Sequence, residues 1–526
     1  MAWQHGYFAD EGYSYGFYPQ QSPVNIAFAA LLKGHRPPDL SGNFHYLDLG
    51  CGQGVGTCLL AAAHPQARFT GVDFHPEHIA HARQLAAGCG LENVSFEEAD
   101  FLDLARQLPA DWPPVDFAVA HGIASWIAPP VREALLQTVS QALRPGGVFY
   151  VSYNTHPGWL AKVPFQHMVA TLQQYHQPGH PALEAARALF SRLGQAKAAL
   201  MTAYPSLEKQ LETLEKQDPA YLVQEYNNGF WQPLFVNEMM AEAAAAKLSY
   251  LGSASLVENF DLFYPEAYRQ ILKEAPSTDL RELYRDLLIN QTFRRDLYVK
   301  GSDRFWGEQA LAPLEQLQVE ALKGPELLED EEAFNLNCSL GTIRLDPRLM
   351  RPLLEAILAG PRSLAQLRRE LAGVQREPAQ MLPLSVLLRG LALLLDHRVV
   401  ALVSNAAVDS STAQRANRHL VGCMAEGAPY SSLVVPRLGT AISFGRADAI
   451  TLEALEAGVP QQELAAHLQQ RLAQQGRQPR GTEGQPLEDP AAATAQLQSV
   501  AVDPFLQVGL PRLQRLGAWP ARTPEA

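Results

Sequence analysis

The run YLDLGCGQGVG, residues 46 to 56, turns from a short apolar strand straight into alternating glycines. It opens an alternation that leaves few folds available. HYLDLG, RFTGVDF, NVSFEEAD, VDFAVAHG and GGVFYVSYN read as strands. Between the first three, GTCLLAAAHP reads as a helix ending before Pro65, and PEHIAHARQLAAGCG as one with Pro76 in its first turn and glycines at its end. Strands alternating with helices predict an α/β fold built on a parallel, doubly wound sheet. Crossovers in such sheets are right-handed, so ligands bind outside the carboxyl ends of the strands, where this glycine loop falls.

The loop's spacing narrows the ligand. A dinucleotide fingerprint beginning at Gly50 needs glycine at 55, and this chain has Val55. The glycines stand instead at Gly50, Gly52, Gly54 and Gly56, with Asp48 before them. A carboxylate there suits an ammonium group and repels a pyrophosphate. S-adenosylmethionine carries an amine, a carboxylate and a sulfonium, and no phosphate. Asp73 closes the second strand, where a carboxylate can accept both ribose hydroxyls. Asp100 closes the third and can accept the adenine amino group, with Phe101 covering the ring. Each aspartate could instead be an ordinary helix N-cap. All three in register along one nucleoside favour the cofactor reading. The candidate cofactor set is Asp48, Gly50, Cys51, Gly52, Gly54, Asp73, Phe74, Asp100, Phe101 and His121. His121 is read as contacting the cofactor through its backbone rather than acting as a general base. Cys51 is not read as a nucleophile, since it sits inside the loop.

At 526 residues the chain is too long for one core, and it divides by composition. The expected pieces are an N-terminal cap plus core over 1–156, a helical insertion over 157–304 that returns to complete the sheet, a mostly helical domain over 305–475, and a flexible Gly-, Pro- and Gln-rich tail over 476–526. VNEMMAEAAAAKLSYLGSASL reads as helix then strand, and FRRDLYVKG as a further strand. Helix pairs at 347–371 and 447–472 share a pattern and read as one hairpin used twice. LLRGLALLLDHRVVALVS between them suits the helix-then-strand of a winged helix.

The net charge of −13 argues against a nucleic-acid partner, which needs a basic face. Five scattered cysteines without a CxxC pair imply a reducing compartment and no zinc ribbon. LSVLLRGLALLL, the most apolar stretch, is shorter than the roughly 20 residues a spanning helix needs, and no signal peptide is evident. The chain reads as cytoplasmic with no membrane insertion. His75, His78 and His81 could share a helix face, but no carboxylate or cysteine completes a metal set, so they are expected on a solvated face with no metal.

The glycine loop, Asp73, Asp100 and the Pro-Gly-Gly turn of LRPGGVFYVSYN resemble the class I S-adenosylmethionine-dependent methyltransferases over about residues 45–153. YSYGFYPQQSP, HGIASW at 121–126, VSYNTHPGW at 151–159 and the helical region after them resemble a bacterial family that carries a methyltransferase regulatory domain and includes protein-lysine methyltransferases. That resemblance implies a Rossmann-like seven-stranded sheet, a helical insertion, a winged-helix-like C-terminal domain and a protein-lysine acceptor.

Aromatic side chains near the carboxyl ends of the fourth and fifth strands would form the acceptor pocket, because a dry pocket lowers an amine's pKa and aromatic faces stabilise cations. The catalytic candidates are Tyr18, Trp126, Tyr153 and Asn154. Ser125, His156 and Trp159 stand nearby, and Tyr13, Tyr15 and Phe17 accompany Tyr18 in a segment expected to cap the cofactor. Core packing explains the tyrosines equally well, and a turn-stabilising role explains Asn154. A small-molecule acceptor and a cofactor-binding regulatory module without turnover are the alternatives to lysine. The C-terminal domain is expected to serve substrate docking or a homodimer contact, without holding the cofactor.

Overall fold

The computed structural model describes residues 15–521, except 177–178, 206, 208–210, 212–218, 229, 302, 329–333, 373–381, 405–408, 480–486 and 488. Tyr13 lies outside the described residues. Five parallel strands form the heart of the sheet: β1 (His45–Leu49), β2 (Arg68–Asp73), β3 (Val94–Glu98), β4 (Val115–Ala120) and β5 (Leu143–Asn154). β6 (Ser249–Ser253) and β7 (Phe293–Val299) add an antiparallel edge, giving the order β3-β2-β1-β4-β5-β7-β6. The order reverses between β1 and β4, which opens a crevice at the carboxyl ends of those strands. Every residue of β1 is buried, as a strand covered on both faces requires.

The flanking helices are α2 (Val55–Ala63), α3 (Pro76–Cys89), α4 (Phe101–Arg106) and α5 (Pro129–Ala142), preceded by α1 (Pro23–Leu32). Ser22 caps α1 by accepting from the Asn25 N–H, and α1 is apolar on nearly every side. Such a helix must be buried. It lies in the core that joins the sheet to residues 314–402.

Between β5 and β6 the chain leaves the sheet as α6 (Val163–Leu172), α7 (His180–Gln195) and shorter helices at Ala199–Ala203 and Pro219–Asn227. Trp159, Phe165, Phe190 and Tyr226 build this insertion a core of its own. The helix Val236–Ala245 then leads back into β6.

The C-terminal half contains two small helical units, each with strands. The first holds β8 (Gln318–Ala321), the hairpin of β9 (Asn335–Cys338) and β10 (Gly341–Arg344), helices Pro347–Leu358, Leu364–Glu370 and Leu384–Asp396, and the short strands β11 (Arg362–Ser363) and β12 (Val400–Leu402) on either side of β8. The second holds helices Ser410–Ala425, Arg446–Glu456 and Leu464–Gln474 around the hairpin of β13 (Ser432–Val435) and β14 (Thr440–Ser443). This second unit covers α2 and α3, sharing one core with Val55, Cys58, Ala82 and Cys89.

The flexible tail expected over 476–526 is corrected. Pro490–Leu497 and Leu510–Arg515 are helical, and Leu513, Leu516, Ala518 and Trp519 are buried in the core beneath α2 and α3. The polar composition of 474–489 hid apolar residues spaced further on, which find their partners only in three dimensions. No helix among the described residues is long and apolar enough to cross a membrane.

Candidate functional site

The glycine loop folds tightly because it lacks side chains where the backbone needs positive φ. Gly50, Gly52 and Gly54 have φ of +78°, +53° and +74°. A Cβ on Gly54 would stand 2.4 Å from the Ala82 Cβ and 2.9 Å from the Phe96 ring, so the loop rests directly on α3 and β3. A Cβ on Gly52 would meet nothing within 4 Å.

That space belongs to a cavity lined by Gly50, Gly52, Asp73, Phe74, Asp100, Phe101 and His121, with Ala99, Ile123, Ile127 and Val131 as apolar walls. Asp73 anchors it. Its Oδ2 accepts from the Gly52 N–H at 2.9 Å, and its Oδ1 accepts from the His75 N–H at 2.9 Å and faces His78 Nδ1 at 3.3 Å. Asp100 also caps α4, accepting from the Leu102 N–H at 2.8 Å.

Asp48, Cys51 and Gly54 are not on this wall; they lie beneath it. Asp48 is buried and accepts the Thr57 hydroxyl at 2.6 Å. Burial raises its pKa to about 6, helped by nearby Asp73 and opposed by the Thr57 bond. Burial also pushes the Cys51 thiol up, which keeps it protonated and unreactive.

The solvated face expected for the three histidines is corrected as well. His75 and His78 are buried and stack at 4.3 Å between ring centroids. His81 bonds to Gln53 O at 2.8 Å and to the Tyr430 hydroxyl at 2.9 Å. Asp73 and the second C-terminal unit draw this face inward, which helix periodicity alone does not reveal. Among the described residues, no group of three or more potential ligands could hold a metal ion.

A second cavity adjoins the first and shares His121 and Trp126 with it. Its other walls are Tyr18, Tyr153, Asn154, Trp159, Lys162, Glu225, Phe293 and Arg295, with Gly122, Ser125 and Thr292 between them. Tyr18 stacks on His121 at 4.2 Å, so the N-terminal segment does reach the junction. His121 Nδ1 bonds to the Tyr150 hydroxyl at 2.9 Å and to Ser152 Oγ at 3.0 Å. Burial, then the charge of Arg295, lowers its pKa to about 3, so the ring is neutral.

The other candidates are held from outside the first five strands. The Tyr153 hydroxyl donates to Asp296 Oδ2 at 2.5 Å and is therefore committed to β7, although Tyr153 also lines the cavity. Asn154 Nδ2 donates to Glu225 Oε1 at 2.6 Å, and its own backbone N–H donates to Ser125 Oγ at 2.8 Å. Trp159 Nε1 donates to Thr292 O at 2.7 Å. Lys162 Nζ lies 4.0 Å from the Trp159 ring centroid, and burial lowers its pKa against the opposing charge of Glu225.

Glu225, Lys162, Phe293 and Arg295 were not among the sequence candidates. Arg295 and Phe293 become legible once β7 pairs with β5, opposite Ser152 and Asn154. Glu225 sits in a helix of the insertion, and no local pattern marks it.

The first cavity fits a phosphate-free nucleoside. Two carboxylates and no lysine or arginine line it, its walls are apolar, and its floor is a glycine cradle that a side chain at position 52 would fill. Comparison with known proteins agrees. Residues 40–247 match the family described as a methyltransferase domain, and residues 218–300 match the predicted methyltransferase regulatory domain. An uncharacterised protein from Synechocystis sp. is 35% identical over 372 residues, spanning 70% of this chain and 72% of that one. The chain is an S-adenosylmethionine-dependent methyltransferase with a regulatory domain.

A trans-aconitate 2-methyltransferase from Methylobacterium nodulans is 36% identical over 105 residues, 20% of this methyltransferase and 36% of that enzyme. The structure of PKMT2 from Rickettsia typhi in complex with AdoHcy superposes with a TM-score of 0.66 at 19% identity. The match covers 97% of this chain and 99% of that one, so the shared fold extends through the insertion and the C-terminal half.

Proposed function

We propose that the methyl acceptor is a protein amine, the side chain of a lysine. The observation that carries this reading is the second cavity, where the aromatic residues Tyr18, Trp126, Tyr153, Trp159 and Phe293 and the cations Lys162 and Arg295 share the wall with one buried carboxylate, Glu225, beside the nucleoside cavity. Lys162 stands 4.0 Å over the Trp159 ring and Arg295 4.9 Å over the Phe293 ring, so these aromatic faces already take cations, as an alkylammonium would require, and Glu225 supplies the anion. The resemblance to bacterial protein-lysine methyltransferases supports the same acceptor.

Bound S-adenosylmethionine supplies an electrophilic methyl group on a sulfonium. Asp73 would accept its ribose hydroxyls, Asp100 and Phe101 would hold the adenine, and the charge of Asp48 would favour its ammonium through the loop. The protein's further task is to present a neutral amine in line with the methyl and to exclude water. Desolvation among the rings lowers the amine's pKa, since burial disfavours the charged form. Glu225, fixed by Asn154, would first attract the ammonium and orient it. The core over 1–156 would thereby form the donor wall and, with Tyr18, Trp126, Tyr153 and Asn154, one side of the acceptor cavity, the insertion over 157–304 its other side, and residues 305–475 the support behind them.

Incubating the full chain with cofactor radiolabelled on the methyl group and with cell extract tests the acceptor. Label in the protein fraction, on lysine after hydrolysis, is the expected outcome. Label confined to small molecules would replace this reading with a small-molecule acceptor.

A further inference from the structure

A third cleft lies away from both cavities, where α1 meets the C-terminal half. Pro19, Val24 and Asn25 form one side; β12 and β14 with Leu395 and Leu438 form the other. Its volume is about 270 Å³, and most of its wall is aliphatic.

Three cations stand on that wall, Lys323, Arg398 and Arg512, and no carboxylate does. Among the described residues neither arginine makes an ion pair within 4 Å. Arg398 donates to the Ser443 hydroxyl at 3.0 Å, and Arg512 donates to Leu322 O at 3.2 Å. Those contacts leave polar atoms over. Arg512 Nε and Thr440 Oγ1 are both buried without a hydrogen-bond partner among the described residues. Buried donors left unmade cost about 1–3 kcal/mol each, more when charged, so such atoms ask for a partner. Burial lowers the pKa of both arginines; at Arg512 the charges of Asp448 and Glu326 oppose it and that of Arg515 adds to it.

We propose that this cleft binds a small organic anion, with its anionic head between Arg398 and Arg512 and a short apolar body against Val24, Leu402, Leu438 and Ile442. Guanidinium groups match carboxylate and phosphate oxygens in pairs. The aliphatic wall sets this site apart from a simple phosphate hole. Asn25 Nδ2 donates to Pro19 O at 2.5 Å, and Pro19 follows Tyr18 directly. The cleft therefore abuts the turn that carries Tyr18 onto His121.

Isothermal titration of the full chain tests the site with four probes: hexanoate, hexyl phosphate, acetate and hexanol. Hexanoate or hexyl phosphate should bind more tightly than acetate and hexanol, and the preferred head distinguishes a carboxylate from a phosphate ligand. Arg398→Gln and Arg512→Gln should each weaken the preferred probe by about tenfold, a loss of one charged contact. Titration with S-adenosylhomocysteine should give the parent's affinity in both variants, showing that they are folded. The proposal is overturned if neither hexyl anion binds, if hexanol or acetate binds as tightly, or if both variants bind the anion like the parent while retaining the fold.

Discussion

Asp73 holds the loop and the nucleoside cavity together through one carboxylate. It accepts backbone N–H groups from Gly52 and His75, and it lines the cavity. Asp73→Ala should weaken S-adenosylhomocysteine binding by at least about tenfold, the scale of one or two charge-assisted hydrogen bonds. Calorimetric titration giving the parent's affinity would remove Asp73 from the site. Asp48 makes a prediction of opposite sign for fold and ligand. Its folded pKa of about 6 lies above its ordinary value of 3.8, so the folded chain takes up this proton first as pH falls. Its contribution to stability is therefore most favourable below pH about 4, fades as pH rises toward 6, and is flat above. Cofactor affinity should run the other way and fall on acidification through pH about 6, because a neutral Asp48 no longer favours an ammonium. In Asp48→Asn that step should disappear from a titration between pH 5 and 8, and a persisting step would assign it to another group.

At the scale of elements, the antiparallel edge matters more than its two strands suggest. Arg294 of β7 is nearly fully buried and pairs with Asp286 Oδ1 at 2.5 Å, Asp296 at 2.9 Å and Glu282 at 3.1 Å. Asp286 and Glu282 lie in the helix Thr278–Ile289, so one guanidinium binds that helix to the sheet and, through Asp296, fixes Tyr153. Removing one member of such a network strands the others. Arg294→Leu should destabilise the chain by about 3–5 kcal/mol in denaturant unfolding. A loss below about 1 kcal/mol would show that the network breaks even against an apolar replacement. Glu225 belongs to the insertion, yet it lines the second cavity. Glu225→Gln keeps the Asn154 contact and removes the charge, so KM for a lysine peptide should rise about tenfold, the worth of one charged contact, with cofactor affinity unchanged. Equal KM values would leave Glu225 with a structural task alone.

For the whole molecule, the C-terminal half is a cover for α2 and α3 as well as a neighbour of the insertion. Leu420, Val434, Leu516 and Trp519 share a core with Cys58 and Ala82, although none of the described residues in 305–475 lines the nucleoside cavity. A chain ending near 304 keeps every wall of that cavity and loses the cover. It should melt well below the parent and bind an apolar dye, as an exposed apolar face does. A melting temperature equal to the parent's would contradict this shared core.

The alternation of strands and helices, the phosphate-free glycine loop and the strand-end carboxylates were all written locally. Period, turn chemistry and spacing decide them, so residues 45–153 could be read without coordinates. The expected C-terminal helix pairs were legible for the same reason: caps and apolar spacing are properties of short segments. The partners of those segments were not. The contact of His81 with Tyr430, the ordered helices near the end of the chain, the commitment of Tyr153 to Asp296 and the arrival of Glu225 beside Asn154 all join residues far apart in the chain. Sequence by itself determined the methyl donor, because a backbone loop and three carboxylates lie within one local run of strands. Tertiary structure alone decided the second cavity, because burial and charge pairing bring its walls together from the N-terminal segment, the insertion and the antiparallel edge.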